Sequence, residues 1–379
     1  MIPLFDLTRQ YKEIKDEILD ALNKVIENGR VILGEEVEKL ENNIAKFIGV
    51  KYGIGVASGS DALVIALRAM DIKEGDKVIT TPYTFFATAS AIIRNKGIPI
   101  FVDVDKNTYN IDLNQVEKIL KNEKIFGIIP VHLFGQTVDL EGLSYLKEKY
   151  GIKILEDCAQ SIGSEGIIKG QIKKSGSVGD VAIFSFFPTK NLGTYGDGGL
   201  IVTNDENIYE KSKALRVHGS KKKYYHEIVG YNSRLDEIHA AILNVKFKYL
   251  EEWTEKRINI ASTYANYFDN WKLSLKYPKI TKKSFKYHVF HQYVIEFENN
   301  KIREKVKNHL QDKDIGTSIY YPIPLHLQKC FENLGYKKGD LPVAENLSQT
   351  TLALPIFPEL TENEIEKIVL EIKNALEED

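Results

Sequence analysis

Short apolar runs alternate with longer amphipathic segments over the first half of the chain. Each of seven such runs has the length of a strand and is bounded by polar or glycine residues. The candidate strands are residues 53–56, 77–80, 98–102, 126–131, 152–156, 181–185 and 200–203. Segments of helical length separate most of them, such as 85–96 and 140–150. This alternation predicts an α/β fold with a mainly parallel sheet.

The pattern changes towards the C-terminal third of the chain. One apolar stripe predicts a long helix that continues past Trp253 toward residue 267, and its members are Ile238, Ala241, Ile242, Val245 and Tyr249. Beyond this helix, residues 288–297 alternate like a strand and residues 302–310 have a helical pattern. Thr361 and Glu364 form a capping box that predicts the start of the final helix.

The length of the chain predicts two domains, because 379 residues exceed one typical domain. We predict a large domain at residues 1–250 and a smaller α+β domain at residues 251–379, with the long helix between them. The N-terminal helix belongs to the large domain in sequence but could pack on the smaller one.

Charge and cysteine content narrow the functional class. The 51 basic and 53 acidic residues give a net charge of −2, which offers no electrostatic footprint for duplex nucleic acid. Cys158 and Cys330 fit a reducing compartment and give no metal-ligand spacing, so we expect no metal site. The first residues lack a signal-peptide pattern, and no apolar run approaches the ~20 residues of a membrane span. We therefore expect a cytoplasmic protein without a membrane or nucleic-acid partner.

Lys190 lies in the decapeptide FSFFPTKNLG at residues 184–193. Its aromatic, apolar and glycine neighbours offer its ammonium neither hydration nor a carboxylate nearby in sequence, which favours the neutral amine. Such an amine is a nucleophile that can form a Schiff base with an aldehyde such as pyridoxal phosphate. An isolated lysine in this setting could also extend its ammonium to the surface from a strand end.

Two further segments favour a pyridoxal phosphate site. One apolar strand ends in Asp157, whose carboxylate could keep the ring nitrogen of the cofactor protonated or could instead cap the next turn. The segment ASGSDAL at residues 57–63 lies between a strand and a helical pattern, and free amides at that helix start would hold a phosphate. A dinucleotide site is not expected, because Gly59 lies one position too late for the G-x-G-x-x-G motif that Gly53 and Gly55 begin.

The order and spacing of several motifs resemble the DegT/DnrJ/StrS family of nucleotide-sugar aminotransferases. The matching motifs are IPLFDLTRQY (2–11), VILGEEVEKLE (31–41), SGSDAL (58–63), PYTFFATA (82–89), PVHLFG (130–135), EDCAQSIGS (156–164), FSFFPTKNLG (184–193), GDGG (196–199) and GYNSRLDEIHAAIL (230–243). The resemblance implies a fold-type I pyridoxal phosphate transferase. Its large domain would hold a mainly parallel, seven-stranded sheet flanked by helices, followed by a smaller α+β C-terminal domain.

The resemblance also implies roles for residues at matching positions. Lys190 matches the Schiff-base lysine, and Asp157 matches the partner of the pyridine ring nitrogen. Gln160 matches the residue that hydrogen-bonds the ring hydroxyl, and Phe85 matches the aromatic residue that stacks on the ring. The residues that match the phosphate cradle are Gly59, Ser60 and Ser185.

Other matching positions concern a partner subunit and the substrate. Asn232 matches an asparagine that reaches the cofactor phosphate of the neighbouring subunit, which implies a homodimer with shared active sites; it could also cap the helix beginning near Asp236. The substrate-facing candidates are Arg30, Tyr321, His326 and Lys221. Lys221 belongs to a lysine triplet at residues 221–223 that could contact a diphosphate or could be a solvated loop.

The activity implied by the resemblance is amino transfer from L-glutamate to a nucleotide-linked keto sugar by a ping-pong mechanism. Within the family, the resemblance is to enzymes that convert a dTDP-3-keto-6-deoxyhexose to a dTDP-3-amino-3,6-dideoxyhexose. Amination at carbon 4, or of a UDP- or GDP-linked hexose, is left open. A dehydratase is disfavoured because such relatives carry histidine in place of Lys190. A non-enzymatic cofactor-binding regulator is disfavoured because it would not need that lysine.

Overall fold

The computed structural model of the protein describes residues 1–222, 224–278 and 285–377. Its α-helices are α1 (Leu7–Asn28), α2 (Glu35–Ile48), α3 (Gly59–Ala69), α4 (Ala87–Arg94), α5 (Leu113–Leu120), α6 (Leu140–Tyr150), α7 (Glu206–Arg216), α8 (Glu237–Phe247), α9 (Leu250–Asn270), α10 (Asn300–Asp312), α11 (Pro342–Thr350) and α12 (Glu362–Glu377). Its β-strands are β1 (Tyr52–Val56), β2 (Lys77–Thr80), β3 (Ile98–Phe101), β4 (Gly127–Ile129), β5 (Lys153–Asp157), β6 (Glu165–Ile168), β7 (Gln171–Lys174), β8 (Val181–Ser185), β9 (Gly199–Thr203), β10 (Ser220–Lys222), β11 (Tyr225–His226), β12 (Tyr293–Glu296) and β13 (Thr351–Leu354). None of the described helices is long and apolar enough to span a membrane.

The central sheet has seven strands in the order β1-β9-β8-β5-β4-β2-β3. Strand β9 runs antiparallel to β1 and β8, whereas the other neighbouring pairs are parallel. These are the strands that the apolar runs predict, with small differences at their ends. The predicted α/β fold with a mainly parallel sheet is therefore confirmed.

Apolar side chains cover both faces of this sheet. Because successive strand residues point to opposite faces, Ile183 of β8 packs in one cluster with Ile65 of α3. The next residue, Phe184, packs in another cluster with Leu40 of α2 and Leu243 of α8. All five side chains are buried. Burial on both faces explains why the strands appear in the sequence as continuous apolar runs.

The ends of three strands meet at one edge of the sheet. Strand β5 ends at Asp157 and β8 ends at Ser185, while β1 leads through Ser58 into the start of α3. Ligands of such sheets bind beyond the carboxyl ends of the parallel strands. The fold therefore brings segments that are distant in sequence to the same edge.

The predicted long helix is two helices in the structure. The apolar stripe predicts one continuous helix, but Lys248 and Tyr249 separate α8 from α9. The Lys248 amine and the Tyr249 hydroxyl both hydrogen-bond the Glu17 carboxylate of α1. Because this contact with a distant segment supports the break, the local pattern does not reveal it, and the prediction of one helix is wrong.

The predicted strand at residues 288–297 is confirmed only over β12, which pairs with β13. Phe290 has a φ of +47°, outside the β region. Its ring stacks on His288 with 3.9 Å between the ring centroids, and its amide donates to His288 Nδ1 at 2.9 Å. These local contacts turn the chain before β12 begins.

The C-terminal segment has an apolar core of its own, formed by α9, α10, α12, β12 and β13 and joined by Ile2. The predicted helix at 302–310 is confirmed as α10. The capping box is also confirmed, since the Thr361 amide donates to Glu364 at 2.9 Å and the Glu364 amide donates to the Thr361 hydroxyl at 3.3 Å. Helix α1 packs on α8, while Arg9 at its start pairs with Glu364 at 2.6 Å. The domain boundary at residue 250 stays a prediction.

Glu237, the first residue of α8, joins this helix to the start of α2. It is 2% exposed, and its carboxylate accepts hydrogen bonds from the amides of Gly34, Glu36 and Val37 at 2.6, 2.9 and 3.0 Å. Without this carboxylate, the first amides of α2 would lose their acceptors, because helical geometry provides none there.

We expect Glu237→Ala to lower the free energy of unfolding by about 3 kcal/mol, because each hydrogen bond to a charged group contributes about 1.5–3 kcal/mol and water replaces part of the loss. Urea unfolding followed by circular dichroism measures the change. Glu366→Ala, at an exposed position of α12, is the matched control and should stay within about 0.5 kcal/mol of the parent protein. Equal stability of the two variants would contradict the role of Glu237.

Candidate active site

One cavity at the carboxyl edge of the sheet brings most of the predicted site residues together. It has a volume of about 410 Å³. The predicted residues that line it are Gly59, Ser60, Phe85, Asp157, Gln160, Ser185, Lys190 and Tyr321. A larger cleft of about 1030 Å³ is lined in part by residues 106–109 and 136–141, but by no predicted site residue. The smaller cavity is therefore the candidate active site.

The loop after β8 carries Lys190 and is anchored from two sides. The side-chain amide of Asn191 donates to the Val289 carbonyl at 3.0 Å, which ties the loop to the segment before β12. On the other side, the amine of Lys246 on α8 donates to the Gly193 carbonyl at 2.8 Å. Lys246 is 1% exposed, so this anchor lies inside the protein. The two contacts hold the backbone on either side of Lys190.

Desolvation controls the charge of Lys190. Burial lowers the pKa of Lys190 to about 8, and the nearby charge of Asp157 opposes this shift. An exposed lysine has a pKa of about 10.4. Near neutral pH the Lys190 amine is therefore neutral much more often than a surface amine, and the neutral form is the nucleophile.

Asp157 presents a buried carboxylate at the end of β5. One oxygen accepts a hydrogen bond from the Thr88 hydroxyl at 2.8 Å, and the other accepts from the Ala159 amide at 3.2 Å. Burial raises the pKa of Asp157, whereas these two hydrogen bonds and the charge of Lys190 act in the opposite direction. A cationic N–H group placed in the cavity would stabilise the ionised carboxylate.

The preceding acid, Glu156, has a structural role. It is buried and accepts hydrogen bonds from the backbone amides of Gly176, Val178 and Gly179 and from His132 Nε2 at 3.0 Å. His132 Nδ1 accepts from the Val138 amide, which places the imidazole proton on Nε2. The possible ligand atoms of His132, Glu156 and Cys158 lie within 4.8 Å of one another, which is close enough to share a metal ion. The His132 and Glu156 side chains, however, are already engaged in the hydrogen bonds just described. Burial also raises the pKa of the Cys158 thiol, which disfavours the thiolate that a metal would need. The trio is better explained by internal hydrogen bonding than by a metal.

The start of α3 lies against Ser185 in the cavity wall. The Ser58 hydroxyl caps α3 by accepting from the Asp61 amide at 3.1 Å, while the amides of Gly59 and Ser60 have no intrahelical acceptor. A Cβ at position 59 would lie 2.7 Å from the Ser185 Cβ, so glycine is required for this approach. Backbone amides, hydroxyl groups and the positive end of the helix dipole together suit a phosphate.

Two side chains, those of Phe85 and Gln160, are placed to contact a planar ring. Phe85 is 58% exposed although it lines the cavity, so its ring is available for stacking. Gln160 is held at both ends, because its Oε1 accepts from the Phe134 amide at 2.6 Å and its Nε2 donates to the Tyr321 hydroxyl at 3.1 Å. The side-chain amide of Gln160 has a second N–H, which remains for a ligand.

Two predicted substrate residues are exposed and do not line the cavity. Arg30 donates to the Leu33 carbonyl at 2.7 Å, close to its own position in sequence. Lys221 pairs with Glu227 at 3.6 Å. Lys223, the last member of the lysine triplet, lies outside the described residues. A role for Arg30 or Lys221 at the substrate stays a prediction.

Asn232 and His326 also lie outside the cavity lining. Asn232 is exposed on the surface of its own chain. His326 is 1% exposed, and its Nε2 lies 3.1 Å from a Glu345 carboxylate oxygen. Contact of Asn232 with a second subunit, and of His326 with substrate, therefore stay predictions.

The cavity is also lined by residues for which the sequence predicts no individual role, among them Thr84, Thr88, Asp197, His291 and Gln292. Thr88 had a usable signal, because it follows Phe85 by three residues in a helical pattern and so shares its face. His291 had none, since its place in the wall depends on the turn at Phe290. The sequence therefore predicts only part of the cavity lining, and one residue that it missed, Thr88, contacts Asp157 directly.

Comparison with known proteins identifies the family of the chain. The profile of the DegT/DnrJ/EryC1/StrS aminotransferase family matches residues 12–373. The chain belongs to this family. The resemblance drawn from the motifs is thereby confirmed, and the protein is a sugar aminotransferase.

Three relatives match nearly the whole chain. The pleiotropic regulatory protein of Geobacillus stearothermophilus is 48% identical, with 98% of this chain and 97% of the relative covered. UDP-N-acetyl-3-dehydro-alpha-D-glucosamine 3-aminotransferase of Acidithiobacillus ferrooxidans is 42% identical, with 99% and 98% covered. dTDP-3-amino-3,6-dideoxy-alpha-D-galactopyranose transaminase of Aneurinibacillus thermoaerophilus is also 42% identical, with 97% and 98% covered.

Solved structures share the fold. The crystal structure of S. venezuelae DesV in complex with a ketimine intermediate has a TM-score of 0.93 and 33% identity, and the match covers 100% of this chain and 99% of that chain. Such neighbours are pyridoxal phosphate aminotransferases of fold type I, which confirms the predicted fold class. The cofactor predicted from the sequence, pyridoxal phosphate, is likewise that of this family.

The residues of the cavity fit this cofactor. The close approach of Gly59 and Ser185 leaves a cradle with free amides for the phosphate. The exposed ring of Phe85 can cover a pyridine face, and the buried Asp157 carboxylate can accept a hydrogen bond from a protonated pyridine nitrogen. We therefore propose these contacts, with Lys190 as the amine that bonds the aldehyde carbon.

We expect the Lys190 amine of the cofactor-free protein to become reactive as the pH rises through about 8, because burial disfavours its ammonium form. Trace acetylation across a pH series, quantified by peptide mass spectrometry, measures this midpoint. The exposed Lys24 is the control, and it should react only at higher pH because its hydrogen bond with Asp20 raises the pKa of Lys24. A Lys190 midpoint at or above about 10.4, the ordinary value, would contradict its desolvation.

Proposed function

We propose that the protein transfers an amino group from L-glutamate to a dTDP-linked 3-keto-6-deoxyhexose and forms a dTDP-3-amino-3,6-dideoxyhexose. The observation that carries amino transfer is that the desolvated amine of Lys190 and the buried carboxylate of Asp157 line one cavity. Family membership supports a sugar-nucleotide substrate. The choice of dTDP and of carbon 3 rests on the likeness to the Aneurinibacillus thermoaerophilus transaminase.

A UDP-linked 3-keto sugar is the second candidate substrate. The Acidithiobacillus ferrooxidans relative, which is as similar in identity, is named for a UDP-linked sugar. Both names place the transferred amino group at carbon 3. The two names therefore agree on carbon 3 and differ in the nucleotide, and neither of them includes GDP.

The reaction needs one group that moves protons and one that holds a charge. When bound, pyridoxal phosphate supplies an aldehyde that takes up the amino group and a ring that withdraws electrons. The Lys190 amine is the group of this chain that would take up the proton from the α-carbon of glutamate and would give it back later in the reaction. A pKa of about 8 allows Lys190 to act as base and acid in turn. The same steps in reverse serve the keto sugar, which gives ping-pong kinetics.

Asp157 stabilises negative charge through the cofactor ring. Its carboxylate would accept a hydrogen bond from the protonated ring nitrogen of a bound cofactor and would keep that ring charged, which favours the withdrawal of electrons from the substrate carbon. The Thr88 hydroxyl and the Ala159 amide fix the carboxylate in place. Their two hydrogen bonds also reduce the cost of keeping Asp157 ionised in a buried position.

We infer that the working unit is a homodimer. Lys190 is the only lysine or arginine that lines the cavity within the described ranges, so the carboxylates of glutamate have no cation of this chain there. Exposed apolar side chains, such as Val229 at 88% and Phe86 at 45%, favour association. Asn232, which lies on the same surface segment as Val229, could then reach the phosphate of the cofactor that the partner subunit binds. We place this dimer in the cytoplasm, in line with two free cysteines.

A regulatory role is the alternative from a different class of function. The relative with 48% identity is named as a pleiotropic regulatory protein. A binding module would need a cradle for the cofactor but no amine that moves protons. Because Lys190, Asp157 and Gln160 line one cavity, amino transfer remains the better account of the site.

We expect Asp157→Asn to bind pyridoxal phosphate more weakly and to lower kcat by at least about 100-fold, because a neutral amide cannot balance a protonated ring nitrogen. Thr88→Val should cause a smaller loss of about tenfold, since it removes only one hydrogen bond that orients the carboxylate. Release of 2-oxoglutarate from glutamate measures both. An unchanged kcat for Asp157→Asn would refute the role of Asp157.

The substrate proposal is tested by incubating the protein with glutamate and a panel of 3-keto and 4-keto sugars linked to dTDP, UDP or GDP. We expect amination of the dTDP-linked 3-keto sugar, with the product identified by NMR, and none with Lys190→Ala. Preferred amination of a UDP-linked or 4-keto sugar would overturn the proposed substrate while keeping the reaction. Conversion of glutamate without amination of any sugar would refute the sugar substrate itself.

A further inference from the structure

His291 occupies a part of the cavity wall that the proposed function does not use. It is 7% exposed and lines both the active-site cavity and an adjoining cavity of about 230 Å³. Gln292 and Tyr320 are among the other residues that line both cavities. A buried histidine at this position needs hydrogen-bond partners for both ring nitrogens.

The proton of the His291 ring is fixed by Asn191. The Val289 carbonyl can only accept a hydrogen bond, so the NH₂ group of Asn191 faces it at 3.0 Å. The Oδ1 atom of Asn191 therefore faces His291 Nδ1 at 3.2 Å and accepts from it. The proton must lie on Nδ1, which leaves a lone pair on Nε2.

The ring also stays uncharged. Burial lowers the pKa of His291 well below its ordinary value, and the charges of Lys190, Arg257 and His288 act in the same direction. In the part of the chain that the structure describes, Nε2 accepts no hydrogen bond, yet it is not among the fully buried atoms without a partner. It therefore offers an accessible acceptor.

We propose that His291 Nε2 accepts a hydrogen bond from a sugar hydroxyl next to the carbon that receives the amino group. The inference rests on the proposed function, since it concerns the sugar bound in the same cavity. A hydroxyl is the matching group because it can donate a hydrogen bond to Nε2. A carboxylate oxygen of the amino donor cannot donate, so it would be repelled by the lone pair on Nε2. We place this hydroxyl beside the reacting carbon because His291 and Lys190, the amine proposed to bond the cofactor, line the same cavity and the charge of Lys190 acts on the His291 ring.

This contact would set specificity for the sugar rather than for glutamate. A site built to hydrogen-bond a hydroxyl rejects an analogue that lacks it, because the acceptor is then left buried without a partner. The loss of one such hydrogen bond corresponds to a factor of about 10 to 100 in kcat/KM. The half-reaction with glutamate should not depend on it.

The test follows the two half-reactions separately by the absorbance of the bound cofactor. The proteins are the parent holoenzyme, His291→Phe, which keeps a ring but no acceptor, and His291→Gln, whose amide oxygen can reach the position of Nε2. Each is mixed with glutamate, and then with the keto sugar or with analogues that lack the hydroxyl on either side of the keto carbon. Rates of the second step give the effect of each change.

We expect His291→Phe to keep the glutamate step within about threefold and to slow the sugar step about 10- to 100-fold. With the parent protein, one of the deoxy analogues should slow the sugar step by the same factor. With His291→Phe, this analogue should cause no further loss, because the variant and the analogue each remove the same hydrogen bond. His291→Gln should recover part of the rate.

Three results would overturn the inference. In the first, His291→Phe slows the glutamate step and the sugar step equally. In the second, His291→Phe is slowed by the missing hydroxyl as much as the parent protein is. In the third, the parent protein aminates both deoxy analogues at unchanged rates. If His291→Phe does not hold the cofactor, the analogues with the parent protein and His291→Gln decide. A parent protein that reacts with glutamate but aminates no keto sugar would instead refute the proposed function, and this inference with it.

Discussion

The amine of Lys190 loses water when the chain folds, and within the described residues no carboxylate forms an ion pair with it in return. The rest of the site depends on this desolvation, because it lowers the pKa of Lys190 to about 8 and leaves a nucleophile at the cavity wall. The charge of Asp157 raises the pKa of Lys190, but this effect is smaller than the lowering caused by burial. The cavity therefore holds one group that can exchange a proton and one that can hold a charge.

The fold keeps these two groups in place through contacts between distant segments. Strand β5 presents Asp157, while the loop after β8 presents Lys190 and is anchored by Asn191 and Lys246. Burial lowers the pKa of Lys246 to about 8 as well. The two lysines nevertheless differ, because Lys246 is 1% exposed and bound to the Gly193 carbonyl, whereas Lys190 lines the cavity. Access to the cavity, and not a lowered pKa alone, therefore distinguishes the reactive amine.

The strands and the core of the site could be predicted because their signals are local. The sheet is buried on both faces, so its strands are apolar runs, and the residues around Lys190 are aromatic or glycine. The break at Tyr249 depends on Glu17 of α1, and the place of His291 depends on the turn at Phe290. Such contacts join segments far apart in sequence or reflect a local turn that hydrophobic patterns do not show. His326 was predicted to face the substrate, yet the chain buries it outside the cavity.

The most direct measurement of the central claim is to load the protein with pyridoxal phosphate, reduce it with borohydride and locate the label by peptide mass spectrometry. We expect one reduced pyridoxyl group on Lys190 and none at this position in a Lys190→Arg variant. Lys246, with a similar pKa but no access to the cavity, should stay unlabelled. A label on Lys246 or on another lysine, or no label at all, would contradict the assignment of the cavity as the active site.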